Sequence, residues 1–152
     1  MKELTERGTI MNKACEMTKQ YAPLVGRALL SLIFILSGWG KITGFSGTAA
    51  YMASKGMPMP DVLLVPTIII ELGGGLMLLL GWQARWAALA IFLFIIPTTL
   101  IFHPFWVADA AQMQNQINFM KNIAIMGGML YIMAYGSGPY SLSKKDKCGE
   151  KS

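Results

Sequence analysis

Val62–Leu80 reads VLLVPTIIIELGGGLMLLL, an apolar stretch interrupted at its middle by one carboxylate, Glu71, and then by Gly73, Gly74 and Gly75. At a rise of about 1.5 Å per residue, a helix of this length nearly crosses the ~30 Å hydrocarbon core of a bilayer. A carboxylate at that depth is costly unless it is paired or faces a wet cavity. Three consecutive glycines also weaken a helix, by roughly 1 kcal/mol each relative to alanine. The stretch therefore predicts a membrane-spanning helix with a tightly packed or locally unwound middle and Glu71 directed into a protein interior.

Three further apolar runs, Leu24–Trp39, Trp86–Phe102 and Phe119–Tyr135, have the same character. Together the four predict an all-α polytopic membrane protein, an antiparallel bundle of four transmembrane helices. The expected spans are about Pro23–Lys41, Asp61–Leu80, Arg85–Phe102 and Asn118–Tyr135. Pro23 suits a first turn, where its missing N–H costs nothing. Gly44-Phe45-Ser46-Gly47 should end the first span, and Lys41–Asp61 should form a turn-rich outer loop capping the bundle. Gly81–Arg85 is a short turn making the second and third spans an antiparallel pair. Pro97 should kink the third, with Thr98 or Thr99 taking the freed carbonyl. Gly136-Ser137-Gly138-Pro139 stops the fourth.

The expected organisation is a cytoplasmic amino-terminal segment (1–20), a membrane domain (21–142) and a basic cytoplasmic tail (143–152). Met1–Gln20 lacks the apolar core of a secretory signal, so the first span should serve as its own insertion signal. Lys2, Arg7, Lys13, Lys19, Arg85, Lys144, Lys145, Lys147 and Lys151 fall on one side of a four-span topology, and Lys41, Lys55 and Lys121 on the other. The positive-inside rule then puts both termini in the cytoplasm. The net charge of +5 belongs mainly to segments facing anionic lipid headgroups, so the partner it implies is membrane lipid and not nucleic acid.

Cys15 and Cys148 are the two cysteines, both in the tails and without a CxxC spacing, which argues against a thiol–disulfide relay. A single histidine excludes bis-histidine haem, no His/Asp/Glu group has metal-ligand spacing, and the methionines form no copper-type cluster. No metal site is expected, and any redox centre must be borrowed.

Arg27, Ser31, Phe34, Gly38 and Lys41 recur at i, i+4, i+7, i+11 and i+14, which confines them to one stripe of the first helix. That stripe should face the bundle interior. Glu71 at mid-depth, with Lys41, His103, Lys121, Asn118 and Asn122 toward the outer surface, predicts an outward-opening polar pocket floored by Glu71. Gly38, Gly74, Gly75, Gly127 and Gly128 are expected to let backbones approach, within the chain or in a homo-oligomer.

Arg27 with Ser37-Gly38-Trp39-Gly40-Lys41, Glu71-Leu72-Gly73-Gly74-Gly75 leading to Leu80-Gly81 and Arg85, Phe102-His103-Pro104-Phe105-Trp106, and Phe119-Met120-Lys121-Asn122 with Gly127-Gly128 resemble the DoxX family, in order and at compatible spacing. Gly138-Pro139-Tyr140-Ser141-Leu142 fits that family's ending. The resemblance covers roughly Pro23 to Leu142. It implies a four-helix bacterial membrane bundle related to the small membrane subunits of thiosulfate:quinone oxidoreductase and to membrane-associated complexes handling thiols and oxidative stress.

Two functions are consistent with these residues. In the first, the chain is an oxidoreductase subunit that holds a quinone or a small sulfur or other anionic substrate. Glu71 and His103 are then the candidate catalytic groups, and Arg27, Lys41, Lys121, Asn118 and Asn122 the candidate ligand-binding groups, with no intrinsic cofactor and quinone as the candidate. In the second, the chain is a non-catalytic scaffold or assembly subunit that recruits a soluble or membrane oxidoreductase, and the same charges are structural.

Overall fold

A computed structural model of the chain describes residues 2–107 and 110–143, with side chains from Ile10 onward. Helix α1 covers Lys2–Thr43, α2 Phe45–Ser54, α3 Pro60–Leu80, α4 Ala84–Phe102 and α5 Gln112–Tyr135. Four of them, α1 over Ile10–Thr43 together with α3, α4 and α5, are long and apolar enough to cross a membrane, and no strand occurs among the described residues. The protein is an all-α four-span membrane bundle. The tail calls at Lys144, Lys145, Lys147, Cys148 and Lys151 lie outside the described residues.

The spans pack in sequence, α1 on α3, α3 on α4 and α4 on α5. Their common core joins Phe34 of α1, Leu78 of α3, Ala84, Ala87, Ala88, Ile91 and Ile95 of α4, and Ile125 and Met129 of α5. Alanines on α4 let its neighbours approach, and the larger side chains fill the space between. The exposed faces remain rich in Leu, Ile and Trp, as suits a surface in contact with lipid and not water.

α3 is α-helical over Pro60–Ile68, π-helical over Ile69–Gly73 and α-helical again over Gly74–Leu80. The glycine run is thus loosened at Gly73 and tightly packed at Gly74 and Gly75. Glu71 sits within the widened turn. A Cβ on Gly38 would lie 3.0 Å from Leu72 Cβ, one on Gly75 3.0 Å from Ile35 Cγ1, and one on Gly74 3.0 Å from Ile91 Cδ1. Close backbone approach on both sides of α3 offsets the weak helix propensity of its glycines.

Three boundaries differ from the sequence expectation. α1 continues without a break from Lys2, so Pro23 lies inside the helix, and segment 1–20 leads as helix into the span. The outer connection is not all loop: after a turn at Gly44 the chain resumes as α2, whose Ala49 and Met52 form a second small core with Leu64, flanked by Phe45, Met57, Ile68 and Phe102. α5 starts at Gln112, six residues before Asn118, where Gln112 donates to Phe105 O and Asn115 bonds His103 in the connection after α4.

At the other end, Gly81 terminates α3 with φ +65°, and its backbone lies so close to Ser141 and the Arg27 guanidinium that no side chain fits there. The segment after α5 is held by Leu142 N–H donating to Leu80 O and Ser143 N–H donating to Gly81 O. Stacking of Tyr21 on Tyr140 and a Gln20 bond to the Tyr140 hydroxyl fasten it to α1.

Candidate functional site

The predicted stripe of α1 does turn inward: Arg27, Ser31, Phe34 and Gly38 are buried, and Lys41 is partly so. Its two charged ends do different things. Lys41 Nζ donates to Glu71 Oε2 at 2.7 Å and Oε1 at 3.0 Å, and to Ser37 Oγ at 2.7 Å. An ammonium has three N–H donors, so all three are committed. The side chain of Glu71 is 8% exposed and that of Lys41 23%, which makes this a largely desolvated pair. Ser37 was read only as part of the block around Gly38 and not as a site residue, although its position four residues before Lys41 on the same helix face is a usable signal.

Above the pair lies a cavity of about 370 Å³, walled by Lys41 of α1, Thr48, Tyr51 and Met52 of α2, Thr67 and Glu71 of α3, Phe94, Pro97, Thr98, Ile101 and Phe102 of α4, and His103 just beyond it. Its surface is mostly apolar. The Thr67 and Thr98 hydroxyls are turned to backbone, donating to Leu63 O and Phe94 O. Pro97 stands in the wall, and Thr98 caps the carbonyl one residue beyond the one the proline frees. The helical wall supplied by α2 could not be read from the sequence, where Lys41–Asp61 looks like loop, and Thr98 was expected only to answer the carbonyl freed by Pro97.

His103 follows the last residue of α4 and is positioned by the turn His103-Pro104-Phe105-Trp106, which Phe105 anchors edge-on to Phe119 of α5 at 4.8 Å. Burial pushes the imidazole below the ordinary histidine range, the positive charges of Lys121 and Lys55 push the same way, and a hydrogen bond with Asn115 opposes them. The ring is therefore neutral near pH 7 and offers one acceptor nitrogen; its Nδ1 is buried with no partner among the described residues. Asn115, buried on α5, escaped the sequence reading too, although it continues the Asn118, Asn122 face at i, i+3 and i+7.

The remaining candidates lie elsewhere. Arg27 donates to Ser137 O and to Tyr140 O, the latter at 2.9 Å, tying α1 to the segment after α5. Lys121 is exposed and donates to Asn118 Oδ1 at 3.1 Å, and Asn122 donates to Thr99 Oγ1 at 2.9 Å, linking α5 to α4. None of these four lines the cavity. A Cβ on Gly128 would lie 3.1 Å from Leu30 Cδ1, so this glycine does permit close packing of α5 on α1, whereas one on Gly127 would meet nothing within 4 Å. Among the described residues no group of three or more His, Cys, Asp or Glu could hold a metal ion.

Residues 22–104 match the DoxX family's sequence profile. The chain is 40% identical over 121 residues to "Inner membrane protein YqjF" of Escherichia coli (strain K12), an alignment covering 80% of this chain and 88% of the relative. It is 35% identical over 123 residues to "Inner membrane protein YphA" of the same organism, with the same coverage. No solved structure matches the chain.

Proposed function

This chain belongs to the DoxX family, and from that premise we propose that it is a multi-pass component of a redox system in the bacterial inner membrane, with the cavity above Glu71 as the site for a quinone headgroup. The observation that carries this reading is the cavity's charge balance. Lys41 is neutralised by Glu71 with every donor in use, and His103 is held neutral. A mostly apolar chamber of this kind suits a neutral ring with polar edges and disfavours a small sulfur anion, which would meet no uncommitted cation. Glu71 retains unused lone pairs and His103 an acceptor nitrogen, which favours the hydroxyl-bearing reduced quinone as the tighter ligand. Glu71 is the group placed to take a proton from such a hydroxyl, and electrons pass to a partner oxidoreductase. Both termini are assigned to the cytoplasm on charge distribution; a carboxy-terminal reporter reading as periplasmic would reverse that assignment.

The test is to purify the protein in native-lipid nanodiscs and quantify quinone in the wild type and in Glu71→Gln and Tyr51→Ala variants. Stoichiometric quinone in the wild type, lost in folded variants, supports the reading. Quinone at bulk-membrane level in the wild type refutes it. It then favours the scaffold reading, which has its own support in the fully satisfied Lys41 donors: a pair with nothing left to offer is well suited to clamping α1 to α3.

A further inference from the structure

The larger cavity is not the one above Glu71. A groove of about 510 Å³ runs between α1 and α5 near the end of the bundle marked by Arg27, fourteen residues and so about 21 Å along α1 from Lys41. α1 contributes Lys19, Gly26, Arg27 and Leu30, and α5 contributes Gly128 and Ile132. Apart from its basic end the lining is apolar. Ile10–Thr43 of α1 is about 50 Å long as a helix, some 20 Å more than a hydrocarbon core. With Thr43 at one membrane boundary, Leu30 lies inside the core and Lys19 at headgroup depth on the opposite side. The groove therefore crosses from the polar zone into the acyl zone. Tyr131 and Tyr135, their rings tilted against each other at 4.5 Å and both exposed, line its α5 wall, the residue type found at membrane interfaces.

Arg27 provides the second observation. Its terminal nitrogens are used on backbone carbonyls, but its Nε–H is buried without an acceptor among the described residues, in a side chain only 2% exposed. A buried donor on a cation calls for an oxygen acceptor, and a negatively charged one satisfies it best. We propose that the groove is a site for one anionic phospholipid, its phosphate between Lys19 and the Nε–H of Arg27 and one acyl chain along Gly26, Leu30, Gly128 and Ile132. A second copy of this chain is a poorer occupant, because it carries the same net charge of +5 and would leave that donor unanswered.

The structure also supplies a blocking variant that leaves Arg27 alone. Gly26 lines the groove and a Cβ on it meets nothing within 4 Å, so Gly26→Leu is the variant expected to fill the groove. Wild type, Gly26→Leu and Lys19→Gln would be exchanged into nanodiscs of phosphatidylcholine containing phosphatidylglycerol as the minor lipid, and retained lipid counted by native mass spectrometry. The expected result is one phosphatidylglycerol on the wild type and none on Gly26→Leu, at unchanged helix content. Lys19→Gln should lower the preference for phosphatidylglycerol about fivefold, the equivalent of the ~1 kcal/mol that one basic side chain contributes at an anionic surface. Equal retention of the two lipids by the wild type, undiminished retention by Gly26→Leu, or a wild-type dimer dissolved by Gly26→Leu would each overturn the proposal.

Discussion

The asymmetry of the Lys41–Glu71 pair makes a quantitative prediction. Removing one member of a desolvated ion pair strands the other, at a cost of about 3–5 kcal/mol when the survivor is fully buried. Lys41→Met strands the carboxylate, whose side chain is 8% exposed and whose hydrogen bonds among the described residues both come from Lys41. The expected loss is ~3 kcal/mol. Glu71→Gln leaves the more exposed ammonium still bonded to Ser37 and to an amide oxygen, so its loss should be nearer ~1–2 kcal/mol. Combining Lys41→Met with Glu71→Gln removes both charges and should cost less than Lys41→Met alone. Unfolding in mixed micelles under increasing denaturing detergent, followed by circular dichroism, would give the four corners of the cycle. A double variant as destabilised as the two singles summed, or Glu71→Gln more damaging than Lys41→Met, would refute the reasoning.

The same assay reads other contacts. Gly38→Ala should destabilise by about 1–3 kcal/mol, because its Cβ would press on the Leu72 backbone at 3.0 Å. Gly127→Ala, with nothing in reach, should be neutral or stabilising by up to ~1 kcal/mol through helix propensity. Arg27→Met should cost about 2–4 kcal/mol, since it leaves the Ser137 and Tyr140 carbonyls without their donor. His103 is held below its ordinary value of 6.5, so the unfolded chain binds the proton more readily. Stability is then full above pH 6.5 and falls as pH drops from there toward the lower folded value. His103→Gln should flatten that dependence in detergent unfolding midpoints measured between pH 7 and pH 5, and an unchanged slope would count against a buried neutral imidazole.

What was legible in the sequence follows the physics of the bilayer. Apolar runs of spanning length, a carboxylate within one of them and a polar stripe at helical spacing all point inward for one reason: lipid rejects charge. Thus Val62–Leu80 announced α3, and Arg27 through Lys41 announced the buried face of α1. Partner choice along that stripe was not legible. Arg27 and Lys41 share a face and a sign, and only the position of the chain end after Tyr135 decides that Arg27 meets carbonyls while Lys41 meets Glu71. Helix α2 was hidden because its ten residues carry a glycine, four hydroxyl-bearing side chains and no strong periodicity, and it is held by packing on Leu64 and not by propensity. Asn115 was missed for a related reason, since the first turn of α5 is mostly polar, with Met113 its one apolar residue, and lies outside the apolar run that marks the span.

The widened turn of α3 connects these observations to the proposed chemistry. A π-turn shifts the register of side chains on either side of it and loosens the local hydrogen-bond ladder, and such turns recur at functional sites. Here it covers Ile69–Gly73 and contains Glu71, which lines the cavity, while Leu72 packs against Gly38. A purely structural clamp between α1 and α3 could be built on a regular helix at less cost, with alanine in place of Gly73, where a Cβ would meet nothing within 4 Å. An acid required to face both a lysine and a cavity must be aimed more finely than the regular repeat allows. Insertion or deletion of one residue within Ile69–Gly73 therefore separates the two readings. A one-residue deletion that regularises the helix should preserve assembly with a partner if the pair is only a clamp, and should abolish quinone retention in a folded protein if Glu71 serves the cavity.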